Sequence, residues 1–260
     1  MNITPALGIG DLLILKMKQI SNHMTINQIN VSRQLLLKYR KYPEKSLEFI
    51  KKFIALLFPE TTICVTNEKY TLEYLLEYNI TKTYLYDQIH LTIPITYTNY
   101  IIFHTKVRLD GYMDKFLNHD LPCLDTFFKN FKTDKTIIIL GEKKVEECFE
   151  QKKHNIISIY NNILQLSNNK VIDLTEPELY SGNIDFNMFL KDIELINKAD
   201  MNICFGIGGP LNLCQAFSKH NICYVSNFSH TIINSYIDIN NNCYREIETF
   251  IDTIYKTSNT

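Results

Sequence analysis

The stretch ADMNICFGIGGPLNLCQAFSKHNICYV, Ala199 to Val225, constrains the fold more than any other part of the chain. Met201 to Phe205 is an apolar run of strand length. Gly206, Gly208 and Gly209 follow at once, and Pro210 falls where the first turn of a helix loses nothing by lacking an N–H. Leu213, Ala216 and Phe217 then recur at helical spacing, and Ile222 to Val225 reads as a second buried strand. The chain has 8 glycines in all, so three between 206 and 209 is a concentration that needs a reason. Two reasons are open. A glycine loop feeding a helix N-terminus presents N–H groups and a positive dipole end to an anion. The same loop also serves as a tight turn with no ligand.

A second glycine turn opens the chain. Gly8 and Gly10 flank Ile9, Asp11 follows, and Leu12 to Ile20 has helical character. Asp11 has two readings, a helix N-cap worth about 1 kcal/mol or a carboxylate held at a ligand cleft. The strand before it is short and carries Pro5. Val31 to Phe58 reads as two helices divided at Pro43, with Leu35, Leu36 and Tyr39 facing the core in the first. Phe49, Phe53, Ile54 and Leu57 do so in the second. The basic run Lys38, Arg40, Lys41 and Lys45 reads as a solvated face.

Short strands alternate with helices along the rest of the chain, which argues for parallel sheets. Strands are expected at Thr61–Thr66, Tyr84–Tyr86, Tyr100–His104, Thr136–Leu140, Ile156–Tyr160 and Val171–Asp173. Helices are expected at Leu72–Tyr78, Asn161–Leu166, Phe186–Lys198 and Arg245–Tyr255, and partly over Leu109–Lys132. His104, Thr105, Lys106 and Arg108 crowd the end of one strand, the place where open α/β sheets bind ligands. Lys106 and Arg108 have the charge to neutralise a phosphate. Gly141, Glu142 and Lys143 repeat the strand-to-glycine step after Leu140. The openings at Gly8 and Gly141 imply two similar α/β units with a boundary near Asn130.

Charge and cysteines narrow the function. The formal net charge of -1 argues against nucleic acid or an anionic membrane as the main partner. The 7 cysteines are scattered, without a CxxC pair or a zinc-finger spacing, and read as reduced thiols in a cytoplasmic protein. The first residues make a poor signal peptide, since Asp11 breaks the apolar run.

GIGDLL near the start resembles the G-x-GD motif that opens glycosyltransferases of the heptosyltransferase type. IIILGE resembles the opening of their second domain. VIDLT, then AD, a strand, a Gly-Gly-Pro-Leu turn and LNLCQAF, resembles their donor-site segment. Together these motifs cover the first strand-loop-helix and most of residues 135 to 225. The resemblance implies the GT-B architecture, two Rossmann-like domains facing across a cleft. Residues 1–130 would form the acceptor-side domain and 131–242 the nucleotide-sugar domain. Residues 243–260 would form a helix packing back on the N-terminal domain.

The activity implied is transfer of a sugar from a nucleotide-sugar donor to a hydroxyl on a glycan or other acceptor. It implies Asp11 as the catalytic base. The candidate donor-binding residues are Gly8, Gly10, Thr105, Lys106, Arg108, Gly141, Glu142, Lys143, Gly206, Gly208, Gly209 and Asn212. No cofactor is expected, and without an Asp-x-Asp motif no metal. The chain departs from the family pattern in having Ile207 and Gly208 where Asp and Thr or Ser usually precede the turn, and Asn212 where His is usual. An inactive sugar-nucleotide or partner-binding protein of the same architecture, and a nucleotide-sugar epimerase, are the alternatives. A dinucleotide oxidoreductase is disfavoured because FGIGGP is not G-x-G-x-x-G.

Overall fold

The computed structural model describes residues 1–39, 42–69, 84–89, 91, 93–108, 116–141, 161–165, 169–175, 185–206, 209–225 and 242–258. Over these residues the protein is a mixed α/β structure with two sheets, and every strand pairing is parallel. The first sheet has the order β1-β2-β3, from Asn2–Ile3, Gln28–Ser32 and Thr62–Thr66. The second contains β4 (Tyr100–Arg108), β5 (Thr136–Leu140), β6 (Val171–Asp173), β7 (Met201–Gly206), β8 (Asn221–Tyr224) and β9 (Cys243–Tyr244). Its order is β6-β5-β4-β7-β8-β9. Counted from β4 as strand one, that is 3-2-1-4-5-6, the Rossmann-like doubly wound order, which reverses between β4 and β7.

Helices among the described residues include α1 (Ile9–Ser21), α2 (Arg33–Tyr39), α3 (Pro43–Leu57), α4 (Leu121–Asn130), α5 (Phe186–Lys198), α6 (Gly209–Phe217) and α7 (Ile247–Ser258). Strict alternation along the central strands sends side chains into two cores. Ile101, Phe103, Ile137, Ile139, Ile203, Phe205, Ile222 and Tyr224 join α4 and α7 on one face. Ile102, Ile138, Leu140, Cys204, Cys223 and Val225 join α5 and α6 on the other. Strands covered on both faces are apolar on both, which is why TIIIL reads as a continuous run; MNICF does so except at Asn202.

The second core does not stop at α5 and α6. It continues through α1 and α3 to Ile3, Ile29 and Val31 of the first sheet, so the two sheets share it. Phe49 and Phe53 of α3 meet Phe189 of α5 edge to face at 5.1 and 5.3 Å. Such aromatic contacts add about 0.5–1.5 kcal/mol beyond the area they bury.

Several expectations need correction. Residues 28–32 form β2, so Val31 belongs to a strand rather than to a helix. Ile29 and Val31 are fully buried, and the intervening Asn30 is buried too, which hides the period-two signal. Leu85–Gln88 is a 3-10 turn rather than a strand, closed by Ile89 N–H bonds to Leu85 and Tyr86 carbonyls. The Tyr86 hydroxyl donates to Glu194 on α5 at 2.6 Å and fixes the turn there.

β4 runs on to Arg108 and pairs with β5 and β7. A boundary at Asn130 therefore cuts the first βα unit off its own sheet; the sheets change between Thr66 and Tyr100. Helix α7 lies on the six-stranded sheet, not on the first sheet. Its Phe250 ring meets those of Phe205 and Tyr224 at 5.6 and 5.5 Å, because that face of β7 and β8 is aromatic. The expected helix at Leu72–Tyr78 and strand at Ile156–Tyr160 lie outside the described residues. No helix among the described residues is long and apolar enough to cross a membrane.

Candidate functional site

The two glycine turns read from the sequence come together. Gly10, in the first turn of α1, is buried against Asn212, in the first turns of α6. A Cβ at Gly10 would collide with the Asn212 amide nitrogen and lie 3.1 Å from its Cγ. Glycine is required here by the approach of two helices rather than by its dihedral freedom. Asn212 is 7% exposed. The structure thus gives Gly10 and Asn212 a packing contact, at the point where the N-termini of α1 and α6 lie side by side.

The two helix starts are finished differently. Asp11 is the third residue of α1 and reaches back, so that the Gly8 N–H donates to its Oδ2 at 3.1 Å. Asp11 is therefore not the N-cap; Gly8 is. The contact is the returning half of a capping box, and the forward half is missing because Gly8 has no side chain. α5 is closed by Asp185, which accepts from the Asn187 and Met188 N–H groups at 2.7 and 3.3 Å. α6 has no acidic residue in its first turn. It starts at Gly209, where an added Cβ would meet nothing within 4 Å among the described residues.

α6 begins directly beyond β7, one of the two strands at the reversal point of the sheet. Gly206 ends β7 and is in register with Arg108 at the end of β4. The register between the two strands shifts between Phe103 and Val107. Lys106 and Arg108 thus belong to the last turns of the pleat at the carboxyl edge, where such sheets bind ligands. Thr105 is buried, and its hydroxyl donates to the Leu140 carbonyl at 3.3 Å, tying β4 to the end of β5. Gly141 follows β5 with φ 126°, a conformation that L side chains rarely adopt. Glu142, Lys143 and Gly208 lie outside the described residues.

Beneath α6 sits a polar network that the sequence reading missed. His104, expected at a strand end, is inside β4 and buried. Its Nε2 lies 3.3 Å from Asn202 Oδ1 and 3.2 Å from Cys214 Sγ of α6. The Asn202 amide donates to the Ile196 carbonyl at 2.8 Å and the Ser218 hydroxyl at 2.9 Å. Those two bonds assign Oδ1 to the His104 side, so a neutral imidazole carries its proton on Nε2. Burial pushes the His104 pKa down from 6.5 to about 4, more than the Asn202 hydrogen bond raises it. Cys204, Cys214 and Cys223 are likewise buried thiols whose pKa values burial pushes up. The six described cysteines are all free.

A second missed cluster lies on the first sheet. Asn30 of β2 donates to the Thr4 hydroxyl and to Glu68 Oε2, each at 3.2 Å, and accepts from Gln28 at 2.6 Å. Thr4 follows β1 and Glu68 lies two residues past β3, so the cluster links the carboxyl ends of β1 and β3 through Asn30 of the strand between them. Only topology could reveal it, since the residues come from three separated segments. Set against protein-family models, curated proteins and solved structures, the chain finds no match in any of the three.

Proposed function

We propose that the protein transfers a sugar from a nucleotide-sugar donor to a hydroxyl acceptor, in a GT-B arrangement with the donor on the six-stranded unit. The observation that carries this reading is the meeting of the two glycine turns, with Gly10 against Asn212. It brings the α1 carboxylate, Asp11, to the same edge as the α6 N-terminus. The diphosphate would sit on α6, near Gly208 and Gly209, where N–H groups without a partner inside the helix and about half a positive charge favour an anion. Lys106 and Arg108, at the end of β4 where Arg108 is in register with Gly206, are the candidate cations. The transition state gathers positive charge on the sugar and negative charge on the departing diphosphate, so both groups have work to do. Asp11 would take the acceptor proton as the general base.

The resemblance in sequence supports the same division of roles, with the acceptor toward the first sheet. The departures from the family pattern at Ile207, Gly208 and Asn212 favour a second reading, a sugar-nucleotide binder without turnover. Thermal-shift screening against nucleoside diphosphates and their sugars tests both. A ligand at 100 times its Kd adds about 2.7 kcal/mol to the folded state. Stabilisation with release of nucleoside diphosphate to an acceptor supports the enzyme, and stabilisation without release supports the binder. A flat screen across uridine, guanosine, adenosine, cytidine and thymidine diphosphates would contradict both.

A further inference from the structure

On the opposite face of the six-stranded sheet, three side chains of different donor chemistry converge. His119, Cys123 and Glu248 offer a nitrogen, a sulfur and an oxygen, all within 4.8 Å of one another. His119 is the penultimate residue of the turn Phe116–Asp120, Cys123 lies in the first turn of α4, and Glu248 lies in the first turn of α7. The imidazole is already oriented. His119 Nδ1 lies 2.9 Å from Oδ1 of Asp120, a fully buried carboxylate that also accepts from the Tyr224 hydroxyl. A neutral ring bonded in this way donates from Nδ1 and turns the Nε2 lone pair outward. That Nε2 faces Glu248 Oε1 at 3.9 Å, too long for a hydrogen bond.

We infer that His119, Cys123 and Glu248 form a binding site for a divalent metal ion of the zinc class, with Asp120 as the carboxylate that orients His119. The donor set selects the metal. Imidazole and thiolate suit zinc, cobalt or nickel, whereas magnesium and calcium take oxygen ligands alone. Zinc holds such donors at about 2.0–2.3 Å, which sets neighbouring donor atoms roughly 3.3–3.8 Å apart. The present spacing needs a contraction of about 1 Å, and the exposed Glu248 side chain is free to rotate by that much. The carboxylate–histidine–metal arrangement is the one that fixes the tautomer of most zinc-bound histidines. Three protein ligands leave a fourth position for water or an outside donor. The ion would clamp α7 to α4, on the sheet face turned away from α1 and α6.

Cobalt(II) titration of the full chain, stripped of metal by chelator, tests this. The expected result is one equivalent bound, with visible bands of tetrahedral intensity and a near-ultraviolet thiolate-to-cobalt band, all displaced by zinc. Cys123→Ser should abolish the thiolate band, and Glu248→Gln should weaken cobalt binding about tenfold or more. Asp120→Asn should weaken it about 10- to 100-fold, the usual effect of losing the orienting carboxylate. Glu248→Gln is an exposed substitution that leaves the core untouched, so it keeps the test valid if Asp120→Asn fails to fold. Absence of a thiolate band in the wild-type chain, or its persistence in Cys123→Ser, would overturn the assignment.

Discussion

α1 and α6 both follow a strand and a glycine turn, and their first turns touch, yet they treat the same physical problem in opposite ways. Each helix begins with N–H groups that have no partner inside the helix and with a positive dipole end. α1 brings its own anion, because Asp11 folds back onto the Gly8 N–H. α6 has no acidic side chain in its first turn and starts with a glycine open to added bulk. A helix that supplies its own carboxylate repels a second anion, while one that does not is ready for it. Under the proposed function the diphosphate would sit on α6, and Asp11 would be left to handle a proton.

The largest effect expected from this contrast is on rate. Asp11→Asn keeps an oxygen to accept from Gly8, so folding should hardly change, while transfer to an acceptor should fall roughly 10²–10⁴-fold. Asp11→Ala should show the same rate loss and also lose about 0.3–1 kcal/mol of stability, the usual worth of a carboxylate in the first turn of a helix. Turnover by the Asn variant at the wild-type rate would remove Asp11 from the chemistry. Glu68, at the carboxyl edge of the first sheet, would be the next carboxylate to test.

The seats of the two helices differ as well, and acid should expose this. α6 rests on His104, whose folded pKa of about 4 lies below the unfolded value near 6.5. The unfolded chain therefore binds the extra proton first. The stability tied to neutral His104 is complete above pH 6.5 and is lost as pH falls toward 4, by about 3 kcal/mol in all. Denaturant melts of wild type and His104→Gln between pH 7 and 4 isolate it. A wild-type-minus-variant difference that stays constant with pH would refute the assignment.

The contact between the helices should show up as a coupling. Gly10→Ala alone should cost about 1–3 kcal/mol through overpacking against Asn212. With Asn212→Ala in place the same change should be neutral or favourable, since alanine gains about 1 kcal/mol over glycine inside a helix. Equal costs in both backgrounds, measured by urea denaturation, would mean that the helices do not press together there. The smallest effect serves as a reference. Asp185→Ala should remove the α5 cap for about 1 kcal/mol without touching nucleotide binding. A change in nucleotide affinity there would undo the idea that the nucleotide sits at the α6 start.

The two helix starts were legible in the sequence because glycine, proline and the helical apolar spacing are local signals. Strands β5 and β7 and helix α5 were legible for the same reason. What escaped depends on which segment lies beside which. β2 was hidden because Asn30, between two buried residues, is itself buried and satisfied by Thr4 and Glu68 from other strands. His104 read as an edge residue because its partner Asn202 lies on β7, far along the chain. β4 was assigned to the wrong sheet because an apolar strand carries no mark of its neighbours. The gathering of His119, Cys123 and Glu248 needed α7 to be seated beside α4.

The central claim, that α6 rather than α1 receives the diphosphate, is tested most directly at Gly209. Calorimetric titration of the nucleoside diphosphate that best stabilises the fold should be run on wild type and on Gly209→Asp. Among the described residues a Cβ at Gly209 meets nothing within 4 Å, and a carboxylate at a helix start contributes about 0.3–1 kcal/mol, so the variant should be as stable as wild type or slightly more so. It would supply α6 with the anion that α1 already has. A carboxylate about 4 Å from the phosphates costs on the order of 3–4 kcal/mol in a partly screened site, so affinity should fall by at least about 100-fold. A stable Gly209→Asp protein that binds the nucleotide as tightly as wild type would contradict the account.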